Sequence, residues 1–217
     1  SARALNVQTS GTVDNRNGLL QASGGALTLR ADSLSNAGGT VQAIANAGVG
    51  GGLRVELNRG LDNGNGTIGA STDAVITAEN ISSAGGNLQA GRDLGITARG
   101  QLDNHQAGKL SAGRDLNVAV TGALLNSGGQ LDAGNTLTAS AGRIDNTQGS
   151  IVNNGGGLTR ITTGGALTNT NGNLGGRGSV VIDAASIANT SGQLVAGGDL
   201  IANTNALNNQ GGSVYAG

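Results

Sequence analysis

One tripeptide, Gly-x-[Leu/Ile/Val], returns ten times along this chain, and its spacing constrains the fold more than any other feature. The glycines are Gly18, Gly39, Gly66, Gly86, Gly108, Gly129, Gly149, Gly172, Gly192 and Gly212, separated by 21, 27, 20, 22, 21, 20, 23, 20 and 20 residues. Three residues before nearly every one of them stands an Asn, itself two residues after an aliphatic: Val13/Asn15, Leu34/Asn36, Leu61/Asn63, Leu124/Asn126, Ile144/Asn146, Leu167/Asn169, Ile187/Asn189 and Leu207/Asn209. Leu102/Asn104 carries one extra residue before its Gly, and Ser83 takes the Asn position after Ile81. A fixed period near 20 residues is the mark of a repeat architecture whose units bury their apolar side only by stacking.

Within a unit the apolar residues alternate, the period of a strand with one buried face. Around Gly86 the inward set is Ile81, Leu88, Ala90, Leu94, Ile96 and Ala98, with Gln89, Gly95, Thr97 and Arg99 outward. The next unit repeats the pattern with Leu102, Leu110, Ala112, Leu116, Val118 and Val120. Glycine-rich corners such as Ala90-Gly91-Arg92-Asp93 and Asn126-Ser127-Gly128-Gly129 supply the positive φ angles of tight bends. The sequence therefore predicts an all-β, right-handed parallel β-helix of about ten coils, mostly 20–23 residues each, with three short strands per coil. At ~4.8 Å per coil the rod would be about 45–50 Å long. A leucine-rich repeat, whose period overlaps, needs Asn after its Leu-x-Leu core and a helical or looped return, which this alternation does not provide.

Residues 1–217 read as a single repeat segment with a looped-out insertion near 44–52, where the one coil of 27 residues departs from its neighbours. Loops of this kind often hold binding determinants, but this one has neither charge nor aromatic, and a spacer is the favoured reading. Around Leu158-Thr159-Arg160-Ile161-Thr162, strict alternation from Leu158 would bury Arg160, so a β-bulge that swaps Arg160 and Ile161 is expected.

The Asn residues form a column, Asn15, Asn36, Asn63, Asn104, Asn126, Asn146, Asn169, Asn189 and Asn209, at one corner of successive coils. Stacked amides can hydrogen-bond up such a column, while the alternative is a set of turn formers whose side chains meet water. Asp73, Asp93 and Asp115 form a second column beside Arg92 and Arg114. They could share a cation, but each precedes a strand, where Asp commonly bonds turn backbone, and the arginines can neutralise the row. No metal, catalytic or cofactor site is assigned. His105, the sole histidine, has no Ser, Cys or second His at a triad or metal spacing and reads as a solvated turn residue, and Tyr215 should face outward.

Composition narrows the function. Parallel β-helices also host polysaccharide lyases and hydrolases, but those require clustered carboxylates with Arg or Lys on one face, and catalysis is not expected here. Twelve scattered basic residues without Phe or Trp, at a net charge of −1, give no footprint for nucleic acid. With Tyr215 as the one aromatic, sugar stacking has little to work with, and Gly91-Arg92-Asp93 and Gly113-Arg114-Asp115 only approximate an integrin tripeptide. No apolar run reaches the ~20 residues of a membrane helix, and Ser1 opens no secretory leader, so any export signal lies outside this piece. The absence of cysteine suits a chain threaded unfolded through an oxidising compartment, and is equally the result of general rarity. Open strand edges at both ends should invite association unless further coils adjoin them.

Units such as Gly192-Gln193-Leu194-Val195-Ala196-Gly197-Gly198-Asp199-Leu200 and Leu102-Asp103-Asn104 resemble the haemagglutinin repeats of filamentous haemagglutinin and of contact-dependent growth inhibition exoproteins. The resemblance covers essentially the whole chain. It implies a β-helical fibre at the surface of a Gram-negative bacterium, exported by an outer-membrane two-partner-secretion transporter. Its roles there would be adhesion or holding a toxin-bearing region away from the cell. Two readings follow: a structural shaft whose partners are adjoining coils, or a segment that itself binds a host or bacterial cell-surface receptor.

Overall fold

The structure, a computed structural model, describes residues 3–217. Its regular elements are 27 strands, and no helix occurs among the described residues. The chain winds through ten coils, each presenting a long strand, a short strand and a Gly-x-Leu strand on three faces of a parallel β-solenoid. One coil runs through Ala74–Ala78, Asn80–Ser82 and Asn87–Ala90, and the next through Leu94–Ala98, Leu102–Asp103 and Lys109–Ala112. Three strands, Leu19–Ala31, Thr159–Thr168 and Val180–Ala188, bend through a corner and serve two faces. Every strand pairs in parallel with its counterpart one coil away, so that Ile76, Ile96 and Val118 share a register, as do Ile68, Leu88 and Leu110.

This register puts like on like. Ile81, Leu102, Leu124 and Ile144 stack on the short-strand face, and Leu88, Leu110, Leu131 and Ile151 on the Gly-x-Leu face, all sealed from solvent. Each such side chain contributes about 1.5–3 kcal/mol by leaving water. A lone coil has no second layer to bury against, so stability belongs to the stack.

Close stacking explains why the repeat demands glycine. A Cβ on Gly149 would lie 2.2 Å from the Asn126 carbonyl oxygen of the preceding coil and 2.5 Å from its own turn's Asn146 Oδ1. On Gly113, at another corner, it would lie 2.2 Å from the Gly91 carbonyl oxygen. The Gly149 N–H donates to the Asn146 carbonyl at 3.0 Å, closing a turn whose third residue, Gln148, has φ 56°. The same position is left-handed in the other four-residue turns, for instance at Asn65, Gly85, Gly128 and Ser191.

The insertion at 44–52 is a tight hairpin. Asn46 and Val49 exchange two backbone hydrogen bonds of 3.0 Å across Ala47 (φ 50°) and Gly48 (φ 79°), the two positive angles that a type I′ turn requires. It is tied down at its base, where the Gly51 N–H donates to the Gly25 carbonyl at 3.0 Å.

The expected bulge at Arg160 and Ile161 is absent. Thr159 pairs with Leu137 and Ile161 with Ala139 without interruption, so Thr159, Ile161 and Thr163 point inward while Arg160 and Thr162 point out. Alternation counted from Leu158 is out of phase because Leu158 ends the preceding turn and is 38 % exposed. Thr159, not Leu158, occupies the column headed by Leu94, Leu116 and Leu137. The irregularity lies at the next corner instead, between Thr163 and Ala166.

Candidate functional site

The most connected polar feature of the molecule is internal. Each Asn of the column follows the last outward residue of a short strand, so its side chain turns into the core at the corner before the Gly-x-Leu strand. Asn36, Asn63, Asn104, Asn126, Asn146, Asn169 and Asn189 are fully buried and Asn15 nearly so, while Asn209 is partly covered. From Asn15 to Asn189, every Nδ2 of the column points toward the carboxy-terminal neighbour. Asn15 donates to Asn36 Oδ1 at 2.7 Å, and Asn36 donates to Asn63 Oδ1 at the same distance. Above the middle of the rod the sequence continues from Asn104 to Asn126 at 2.8 Å, then Asn126 to Asn146, Asn146 to Asn169, Asn169 to Asn189 and Asn189 to Asn209, each at 2.7 Å. Each amide is shared further: Asn146 Nδ2 also reaches the carbonyls of Gly149 and Asn173, both at 3.2 Å.

The column is interrupted once. Asn63 Nδ2 meets Ser83 Oγ at 3.3 Å, the shorter hydroxyl is equally buried, and Asn104 Oδ1 beyond it accepts no hydrogen bond.

A second set of buried polar groups lies in the 23-residue coil and was not singled out from the sequence. Asn153 stands where the preceding coils have Ala112 and Ala133. Its Nδ2 donates to the Gly157 carbonyl at 2.9 Å and its Oδ1 accepts from the Gly155 N–H at 3.0 Å, so it braces a lengthened turn from inside. Thr163 Oγ1 donates to the Gly142 carbonyl at 2.9 Å. Thr159 Oγ1 is buried without a partner. Aligning the Gly-x-Leu strands residue by residue would have exposed Asn153 as the one amide in an alanine column.

The charged corner resolves into ion pairs. Arg92 forks onto Asp73, and Arg114 onto Asp93 with a further contact of 3.2 Å to Asp115. Asp115 also accepts from Asn135 Nδ2 at 2.8 Å, Thr136 Oγ1 at 2.7 Å and the Thr136 N–H at 3.1 Å. The Arg92 guanidinium holds the Asp73 carboxyl below the usual range, and the Thr136 and Asn135 donors do the same for Asp115. These carboxylates are thus occupied by turn backbone, amide and guanidinium. Among the described residues no group of three His, Asp or Glu side chains is placed to hold a metal ion.

Two further clusters sit on the surface. Glu56 bridges Arg30 of the preceding coil and Arg54 of its own strand, which lowers its proton affinity. Asp14 accepts from the Arg16 side chain and backbone and is brought down to about 2. His105 Nδ1 lies 2.5 Å from Asp103 Oδ1 across the irregular five-residue turn, and Tyr215 is exposed. Open troughs lie on the outer faces; one runs beside Arg30, Glu56, Asn58 and Arg99.

Comparison with known proteins gives one result. The model of the haemagglutinin repeat matches residues 1–49, 48–106, 100–171 and 169–217, so its successive copies together span the chain. No curated protein and no solved structure matches. With coil period, buried Asn corner and family model in agreement along its whole length, the chain belongs to the haemagglutinin repeat family.

Proposed function

We propose that residues 1–217 are a length of shaft in a large secreted bacterial surface exoprotein. The shaft carries adhesive or toxin-bearing regions away from the cell and performs no catalysis. The observation that carries this reading is the parallel stacking of ten coils, aliphatic on aliphatic across most of the core and amide on amide at every corner but that of Ser83. Such a stack has a length set by coil number and a core that recurs from coil to coil, which is what reach and stiffness require. The carboxylates support the same reading, because those of the charged corner are engaged by arginines and turn donors instead of converging on a common point. Winding is right-handed in this proposal, the sense that parallel crossovers favour. Its partners are adjoining coils and, during export, the outer-membrane transporter of a two-partner-secretion system.

The test has two arms. The isolated fragment, labelled and titrated onto host and bacterial cells, is expected to show no saturable binding. In a bacterium displaying the full exoprotein, removing two whole coils should shorten the fibre by about 10 Å and leave attachment or toxin delivery intact. Saturable, competable binding of the fragment would replace the shaft with a receptor-binding segment.

A further inference from the structure

Three departures from the repeat coincide at one step of the stack, between the coil of Ala74–Ala90 and that of Leu94–Ala112. The first is the missing amide. Ser83 receives only a 3.3 Å contact from Asn63, and its hydroxyl does not reach Asn104, whose Oδ1 is left buried with no donor. The second is the turn above it. Where the four-residue turns at this corner of the other coils place one residue in the left-handed region, Asn104-His105-Gln106-Ala107-Gly108 places two in succession, Gln106 (φ 55°) and Ala107 (φ 62°), and neither is Gly or Asn. Left-handed backbone costs an ordinary L-residue free energy that Gly does not pay. The third is the strand feeding that turn: Leu102–Asp103, two residues, is the shortest among the described residues. At the far corner the same two coils are clamped by Arg92 and Asp73, an exposed pair of the kind that adds little in water.

We propose that this step is a built-in seam, dividing the rod into a four-coil unit below residue 91 and a six-coil unit above it. Each unit is internally bound by its own run of amides, and the rod opens first between them. In a one-dimensional array the weakest interface sets where cooperative opening starts, so a single poor interface separates two folding units without any linker. The seam gives the shaft a place to yield under load that is interior to the stack and reversible, because closing it needs only the re-pairing of strands already in register.

The reporter is the backbone amide one residue past each short strand. The N–H of Ser83 crosses the seam to the Asp103 carbonyl at 2.7 Å. Its equivalents at Asn63, Asn126, Asn146 and Asn169 make the same bond across other steps, also at 2.7 Å. Identical local bonds make any difference in exchange a measure of opening.

Native-state hydrogen exchange on the full chain, corrected for intrinsic rates, is expected to show the Ser83 amide exchanging about tenfold or more faster than those of Asn126, Asn146 and Asn169, the factor that one unmade buried hydrogen bond is worth. It should also exchange faster than the amide of Asn63, which lies one coil nearer the amino-terminal end and would lead if fraying were the cause. Ser83→Asn supplies the missing donor and should bring position 83 to parity with the others. Asn146→Ser should do the converse and make the amide at 146 fast. Equal exchange at 83 and 126 in the unmodified chain overturns the proposal. So does a ratio that Ser83→Asn leaves unchanged, even where Asn146→Ser proves too unstable to measure.

Discussion

Replacing Asn146 with Ala tests the physical claim on which the corner rests, that buried amides bind coil to coil. The substitution removes four side-chain hydrogen bonds: two of 2.7 Å, from Asn126 and to Asn169, and two weaker ones of 3.2 Å to the Gly149 and Asn173 carbonyls. At about 1 kcal/mol net each, the two short ones alone account for ~2 kcal/mol. Asn126 Nδ2 keeps its bonds to the Gly129 and Ser150 carbonyls at 3.2 Å, so no donor is stranded below the site. Asn169 Oδ1 is different: its donor is the Asn146 amide, and leaving it buried and unpaired costs a further ~1–3 kcal/mol. The expected loss is therefore about 3–5 kcal/mol, larger than an ordinary point substitution. Urea unfolding followed by circular dichroism near 218 nm, a wavelength on the order of that of the β-sheet minimum, reads the change as a fall in midpoint. Asn117→Ala, on the exposed outer face of a long strand, is the control and should shift stability by less than ~0.5 kcal/mol. A midpoint for Asn146→Ala indistinguishable from that of Asn117→Ala would show that the amides are turn formers and nothing more.

Three other outcomes follow from particular groups. Thr159→Val removes a buried hydroxyl that has no partner while keeping its shape, and should raise stability by about 1–2 kcal/mol in the same urea experiment; a loss would mean that the hydroxyl is paired in solution. Ser191→Gly relieves a left-handed residue (φ 52°) and should gain up to ~1 kcal/mol, since the relief exceeds the entropy that glycine adds to the unfolded chain. Acidification should destabilise the rod: Asp14, Glu56, Asp73 and Asp115 all titrate lower folded than unfolded, so the unfolded chain binds more protons through this range. That stability is fully present above the ordinary carboxylate values and is lost as pH falls through the folded ones, for Asp14 between 3.8 and about 2. Melting midpoints at pH 6, 4 and 2.5, values on the order of that window, should decline in that order and more steeply across the lower interval. A flat profile would show that these pairs do not survive in solution.

How much of this was legible in the sequence depended on whether the deciding interaction lay within a coil or between coils. The period, the inward aliphatics and the Asn corner are local patterns, and Leu88, Leu94 and Asn126 could be placed from spacing and alternation alone. Phase across a turn could not. Leu158 is more apolar than Thr159, so hydrophobicity assigned the core position to the wrong neighbour, whereas the parallel register with Leu137 fixes it on Thr159. Contacts between residues a whole coil apart were also hidden: Arg30 meets Glu56 only because the 27-residue coil spends its excess in a hairpin and returns to register. Asn153 was missed because an amide in an alanine column looks, in a chain rich in Asn, like one more turn residue.

The uniform orientation of the buried amides gives the rod a sense as well as an axis. With each Nδ2 from Asn15 to Asn189 committed toward the carboxy-terminal side, a finished coil offers unpaired donors to whatever is laid down next and acceptors to whatever came before. A winding added upside down would set donor against donor at that corner. Outside the Ser83 step, the amide corner thus matches donor to acceptor in only one sense of winding.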